Sequence, residues 1–246
     1  SAGVINIRTE TPSFTPGDAG ELTVGNYGAL GIAGSVTGPL NDQVALRLYA
    51  ARRVCDGFQT VDTGDGQRTL TDDANQDFYT IRGQLLVLPN DTASIRLIAD
   101  FSRREEYCCA GVQVRTGPTY PFIDAQSNGT GQRPPNIQGP STVPGSYVAL
   151  PYSRNAFANR GTGQEIEDKG ISAEANIDIA PWGATLTSIS SFRNWTTVNG
   201  QDADFTGADI AYRLQDGQFG ASVRNITQEF RLAGATDSLD WLVGFF

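Results

Sequence analysis

Strand-like runs in this chain are joined alternately by tight turns and by long polar loops, and this rhythm excludes most folds open to a chain of its length. The turns read Pro39-Leu40-Asn41-Asp42, Pro89-Asn90-Asp91, Pro181-Trp182-Gly183 and Thr236-Asp237-Ser238. Such residues preset turn dihedrals or hydrogen-bond the turn backbone with their side chains. The long connections cover about 55–77, 109–168 and 201–225. An antiparallel meander sorted in this way carries all its short turns at one end and all its long loops at the other, as transmembrane barrels do. A sandwich with Greek-key crossovers does not require that sorting.

The pattern predicts strands near 20–26, 29–37, 43–54, 78–88, 93–107, 169–179, 184–197 and 226–234, with a ninth starting at 239. Several alternate between apolar and polar residues. Ile95, Leu97, Ala99 and Phe101 oppose Arg96, Asp100 and Ser102, while Ile171, Ala173, Ala175, Ile177 and Ile179 oppose Ser172, Glu174, Asn176 and Asp178. One face therefore gathers Arg47, Arg82, Arg96, Asp100, Glu174, Asp178, Glu229 and Arg231. That is too much charge for a packed interior unless the ions are paired or wet. Alternation alone suits a soluble sandwich as well as a barrel, since it carries no label for lipid. Strand length and the sorted connections favour the barrel, with those charges facing the lumen, because a tilted strand crosses a bilayer in about 9–11 residues. Trp182 at a turn, and Tyr27, Tyr107 and Trp195 near loops, sit where interfacial girdles place aromatics.

Composition narrows the function. No apolar stretch approaches the roughly 18 residues of a membrane-spanning helix. A net charge of -9 argues against nucleic acid as a partner. With no His in the chain, Ser-His-Asp and Cys-His catalysis and the usual zinc sites are ruled out. Glu105 and Glu106, like Glu165, Glu167 and Asp168, read as solvated charge at loop edges rather than as a catalytic pair. Asp62, Asp65, Asp72, Asp73 and Asp77, and later Asp202, Asp204 and Asp209, are oxygen-rich but lack the spacing of an EF-hand loop. No metal, cofactor or catalytic residue is expected.

Three cysteines are too few for a disulfide scaffold. Cys55 ends the third predicted strand, and Cys108 and Cys109 end the fifth. We expect Cys55 to bond Cys108 or Cys109 if the strand ends bend together; a vicinal bond and free thiols are the alternatives. The loop from 109 to 168 carries seven prolines with Tyr120, Phe122, Tyr147, Tyr152 and Phe157 between them. These aromatics either contact a ligand or pack only on one another.

The segment Ser1-Ala2-Gly3-Val4-Ile5-Asn6-Ile7-Arg8-Thr9 is similar to the end of the plug domain of TonB-dependent outer-membrane receptors. The runs Gly20 to Gly28 and Gly34 to Asp42, Arg47 to Phe58, Ile81 to Leu86 and Gln228 to Leu232 resemble that family's first wall strands in order. The resemblance implies an all-β, antiparallel up-and-down transmembrane barrel of 22 strands around a plug. About eight strands and the start of a ninth are present, so the barrel is expected to be incomplete. Residues 1–10 would end the plug and 11–246 would form the N-terminal part of the wall.

The family's role is active uptake of a scarce small-molecule nutrient, such as a ferric siderophore, a vitamin or a carbohydrate, across the outer membrane of a Gram-negative bacterium. Its partners are outer-membrane lipid, the plug of the same full-length chain, and TonB through a segment missing here. In that setting Arg47, Arg82 and Arg96 would pair with plug carboxylates or line the ligand path. A small stand-alone barrel with a structural or adhesive role, and a secreted carbohydrate-binding sandwich, are the competing readings.

Overall fold

The computed structural model describes residues 9–64, 66–115, 117–119, 122, 137–138, 148–149 and 152–246. The alternating runs form nine strands of one sheet: β1 (Gly17–Val24), β2 (Leu30–Asn41), β3 (Val44–Cys55), β4 (Gln76–Asn90), β5 (Ala93–Tyr107), β6 (Gly163–Ile179), β7 (Ala184–Asn199), β8 (Gly220–Ala235) and β9 (Asp240–Phe245). Spatial order follows chain order, and every neighbouring pair is antiparallel. β1 and β9 are its two edges.

The short connections form as their residues dictate. Asn41 Oδ1 accepts the Gln43 amide at 2.8 Å, and Asn90 Oδ1 accepts the Thr92 amide at 3.0 Å, so each asparagine holds its own tight turn. Between β6 and β7 a single 3-10 turn, Ala180–Trp182, ends at Gly183 with φ 56°, a conformation glycine adopts without strain. Pro39 lies inside β2 rather than in the turn, and the β2–β3 register shifts between Pro39 and Asn41. A proline cannot donate to the ladder, so the pairing breaks there.

Two boundaries differ most from the sequence expectation. β6 starts at Gly163 instead of 169, and β8 at Gly220 instead of 226. The charged stretch Gln164 to Asp168 looks like loop, yet Glu165 and Glu167 continue the ladder opposite Glu105 and Arg103, and Arg103 bridges to Glu165 at 3.0 Å. Strands β4 to β8 are 15 to 17 residues long. That exceeds the ~9–11 needed to cross a bilayer, so their loop-side ends carry charge beyond the apolar stretch.

Register assigns every side chain to a face. Leu48, Gly83, Ala99, Ile171, Phe192 and Ile226 lie side by side on one, and Tyr49, Arg82, Asp100, Gly170, Arg193 and Asn225 on the other. Nothing among the described residues covers the apolar face: Leu22 is 69% exposed and Ile226 81%. Three of its polar groups satisfy one another, with Ser190 Oγ donating to Gln228 Oε1 at 2.5 Å and Gln228 Nε2 to Ser188 Oγ at 3.1 Å. Trp195 pairs directly with Asp168 and so sits on the polar face, not in the outward aromatic girdle expected for it. Exposed Trp182 at a short turn and Tyr27 beside a loop do lie at the two ends of the sheet.

Most of the fully buried apolar side chains are not in the sheet at all. Val61, Ala110, Ala156, Phe157 and Ala158 belong to the loops. There, a strand Gln59–Asp62 pairs in parallel with Asn155–Phe157 and antiparallel with Asp72–Asp73. Residues 56–64 and 66–75 thereby fold together with 108–112 and 154–162 as a small packed head above the sheet.

Candidate functional site on the polar face and the loop head

All eight charged residues singled out from the sequence lie on the polar face: Arg47, Arg82, Arg96, Asp100, Glu174, Asp178, Glu229 and Arg231. Across that face runs the segment before β1, residues 9–16. Arg47 Nη1 pairs with Glu10 Oε2 at 2.6 Å and its Nε donates to Thr11 O at 3.2 Å. Gln84 Nε2 donates to Glu10 O at 3.1 Å, and Arg96 Nη2 donates to Thr9 Oγ1 at 3.0 Å. Ser13 N donates to Thr37 Oγ1 at 2.9 Å. The segment is thus a strap held to β2, β3, β4 and β5 by side chains that only a polar face can offer.

Further along, the ions bind each other. Asp100 on β5 accepts Arg193 Nη2 at 2.9 Å and lies 3.5 Å from Arg82, while Arg193 Nη1 reaches Asp168 at 2.7 Å. Arg193 is on β7, two strands from Asp100, with β6 between them. Gly170 is the β6 residue paired with both, and a Cβ there would lie 3.1 Å from the guanidinium carbon. A glycine at this one point lets the arginine cross the intervening strand. Near the short turns, Thr185 donates to Asp178 at 2.7 Å, Asn176 donates to Glu174 at 3.1 Å, and Glu229 pairs with Arg231. Among the described residues, Arg47, Arg82, Asp100, Asp168, Arg193, Glu229 and Arg231 are ion-paired, while Glu174 and Asp178 accept neutral donors, so most of the charge on this side of the sheet is compensated.

The loop head holds a second polar network, which sequence reasoning missed. Arg68 and Asp73 are both buried and lie 3.6 Å apart. Asp73 accepts the Ala110 amide and the Thr162 hydroxyl, each at 2.9 Å, and Arg68 donates to Leu70 O, Asp72 O and Thr162 Oγ1. Burial lowers the Arg68 pKa from its ordinary value despite the charge of Asp73. Asp202, from the 200–219 loop, accepts amides of Asn159 at 2.9 Å and Phe205 at 2.8 Å. Burial pushes its pKa up to about 6, the Phe205 bond opposes that shift, and the Asp204 charge adds to it. Asp209 is shifted the other way by the Arg160 guanidinium, to which it bonds at 2.7 and 2.9 Å.

The acidic loop residues therefore serve as anchors. Asp62 and Asp72 accept the amides of Gly64 and Gly57, and Asp65 lies outside the described residues. Among the described residues, no group of three or more acidic, His or Cys side chains is arranged to hold a metal. Composition alone could not separate an anchoring aspartate from a solvated one; only the loop-to-loop contacts do.

Two expectations need correction. Cys108 and Cys109 bond each other, and Cys55 is free. Cys55 ends β3 with its sulfur against the Tyr27 carbonyl at 3.5 Å, on the side toward β2, and β4 separates it from β5. Phe157 is 0% exposed, so it packs within the loop head rather than presenting a ring to a ligand. Of the other loop aromatics, Tyr152 is 96% exposed and Phe122 is also exposed, while Tyr120 and Tyr147 lie outside the described residues.

A one-layer up-and-down sheet with a bare apolar face and an ion-paired polar face defines the class of barrel-forming β-sheets. Among solved structures, the chain is similar to the crystal structure of the ferric yersiniabactin uptake receptor FyuA from Yersinia pestis, with a TM-score of 0.65 at 15% identity. The match covers 96% of this chain and 31% of that receptor, so the chain spans about a third of its length. FpvAI, in its complex with pyocin S2, matches at a TM-score of 0.42 and 13% identity over 96% of this chain and 36% of that one, too low to carry an argument. No family profile and no curated protein sequence matches the chain. The likeness is one of fold.

Proposed function

We propose that the chain is the first part of the wall of a TonB-dependent outer-membrane receptor, in which residues 1–10 end the plug and 11–246 begin the barrel. The observation that carries this reading is the division of the sheet into two faces. An apolar face left bare across nine strands is stable only against lipid or another apolar surface, and lipid is the surrounding that an unlayered meander meets in a barrel. On the opposite face, the strap at Glu10 pairs with Arg47 as a plug carboxylate would with a lumen arginine.

In the whole protein, the loop head and exposed aromatics such as Tyr152 and Phe122 would meet a scarce nutrient outside the cell. Arg47, Arg82 and Arg96 would face the plug, and TonB would act on a segment outside this chain. The fold likeness to a ferric yersiniabactin uptake receptor makes a ferric siderophore the first ligand class to test. A sandwich reading lacks support, because no second layer lies on the apolar face among the described residues.

The test is fractionation and uptake. Full-length protein expressed in a Gram-negative host should extract from the outer membrane only with detergent, run as a heat-modifiable band, and support TonB-dependent accumulation of radiolabelled ferric siderophore. Recovery in the detergent-free soluble fraction would overturn the membrane reading. Membrane insertion with no TonB-dependent gain across siderophore, vitamin and oligosaccharide panels would overturn the transport reading.

A further inference from the structure

Cys108 and Cys109 bond each other at the point where the chain leaves the sheet for the loop head. The β5–β6 ladder ends at Tyr107, opposite Gly163, and Ala110 is already 2% exposed in the apolar core of the head, with Val61, Ala156 and Ala158. We infer that the Cys108–Cys109 disulfide is a redox-sensitive latch, which holds the head closed when oxidised and lets it open when reduced by a dithiol.

The pair and its two neighbours carry the contacts that tie the sheet end to the head. The Tyr107 carbonyl accepts the Ala74 amide at 2.9 Å, and the Cys108 amide donates to Thr162 O at 3.0 Å. Gln201 Nε2 donates to Cys109 O at 3.2 Å, which brings in the 200–219 loop. The Ala110 amide donates at 2.9 Å to Asp73, which is fully buried. Cys109 aims the last two of these bonds. Its φ of 82° lies in the left-handed region, which a residue with a Cβ keeps only under constraint. The ring closed by the disulfide supplies that constraint.

Cys109 is exposed and Cys108 half-buried, so a reductant reaches the outer sulfur. One thiolate of the dithiol attacks Cys109 Sγ, the bond between the two sulfurs breaks, and Cys108 leaves as a thiolate that takes up a proton. The second thiolate of the reductant then displaces Cys109, which takes up a proton in turn, and the dithiol departs as its own disulfide. Freed of the ring, Cys109 relaxes to negative φ. That rotation swings its carbonyl away from Gln201 and the Ala110 amide away from Asp73. Asp73 becomes a buried carboxylate short of a donor, which favours an open head that readmits water. Cys55 takes no part, because β4 lies between it and the pair. The inference stands on the loop head and does not depend on the transport reading.

It is tested on the full-length protein in detergent micelles by hydrogen exchange before and after dithiothreitol, with alkylation and peptide mapping to read each cysteine. Cys55 should alkylate in both states, and Cys108 and Cys109 only after reduction. Reduction should speed exchange at the Val61, Ala110 and Ala158 amides about tenfold, the size of one strained residue released, and leave β1–β9 unchanged. Cys108→Ser combined with Cys109→Ser should exchange fast with or without dithiothreitol. Cys108→Ser combined with Cys109→Gly should exchange more slowly than the serine pair, because glycine holds a positive φ without a disulfide. Equal exchange in those two variants would overturn the inference. So would a bond that dithiothreitol leaves intact, reduction with no change in exchange, acceleration spread evenly over the strands, or a dithiothreitol response that persists in the serine pair.

Discussion

Gly170→Ala is the smallest change that probes the ion ladder of the polar face. The added methyl would lie 3.1 Å from both the Cζ and the Nη2 of Arg193 and 3.2 Å from the Phe192 carbonyl. The guanidinium must then lift away from β6, and its contacts to Asp100 at 2.9 and 3.1 Å are the first to be lost. Asp100 is 13% exposed and Arg193 41%, so the pair is only partly screened. A charge-assisted contact is worth ~1.5–3 kcal/mol, and discounting for the exposed arginine leaves about 1–2 kcal/mol. Against this, alanine in a strand gains roughly 0.5–1 kcal/mol over glycine.

The assay is equilibrium unfolding of the full-length protein in micelles, run as a double-mutant cycle with Arg193→Ala. In the parent, Gly170→Ala should cost about 1 kcal/mol; with Arg193 already removed, the same change should be neutral or slightly stabilising, and the difference is the coupling. An equal cost in both backgrounds would refute the argument, since the clash would then lie with the Phe192 backbone and not with the arginine.

Two further outcomes concern the loop head. Phe157→Ala should cost ~3–5 kcal/mol of local stability, the range for emptying a buried aromatic site. It should speed amide exchange in residues 57–62, 71–74, 108–112 and 154–162 while leaving the strands protected; uniform loss across β1–β9 would show that the head is not a separate unit. Asp202 sets a pH dependence. Its pKa in the fold, about 6, lies above the ordinary 3.8, so the stability it contributes is full below about pH 3.8 and is lost as pH rises through 6. The size is about 3 kcal/mol at most. Exchange at the Asn159 and Phe205 amides, corrected for its intrinsic pH dependence, should be slower at pH 5 than at pH 7.5, and the opposite order would refute the assignment.

Much of the sheet was legible in the sequence, because a strand face is a local property with a period of two residues. Ile171 to Ile179 and Ile95 to Phe101 declare their faces without reference to any other part of the chain. The eight charged residues fell on one face for the same reason. Where local signals conflict with pairing, composition misleads: Gln164 to Asp168 has the composition of a loop, and ladders to both β5 and β7 make it a strand.

What the tertiary structure alone decided was everything that depends on which strands and loops meet. Alternation does not reveal that Arg193 reaches over Gly170 to Asp100, because that contact requires the register of three strands. The cysteine pairing followed from strand order, which sets β4 between Cys55 and the Cys108–Cys109 pair. Phe157, Asp73 and Asp202 look like ordinary residues of polar loops, and become core and anchors only when three distant loops fold against each other. The sequence by itself determined a two-faced antiparallel sheet with sorted connections. Long-range contacts decided where its charges pair, how its loops pack and what lies beneath the strap, since those energies belong to residues far apart in the chain.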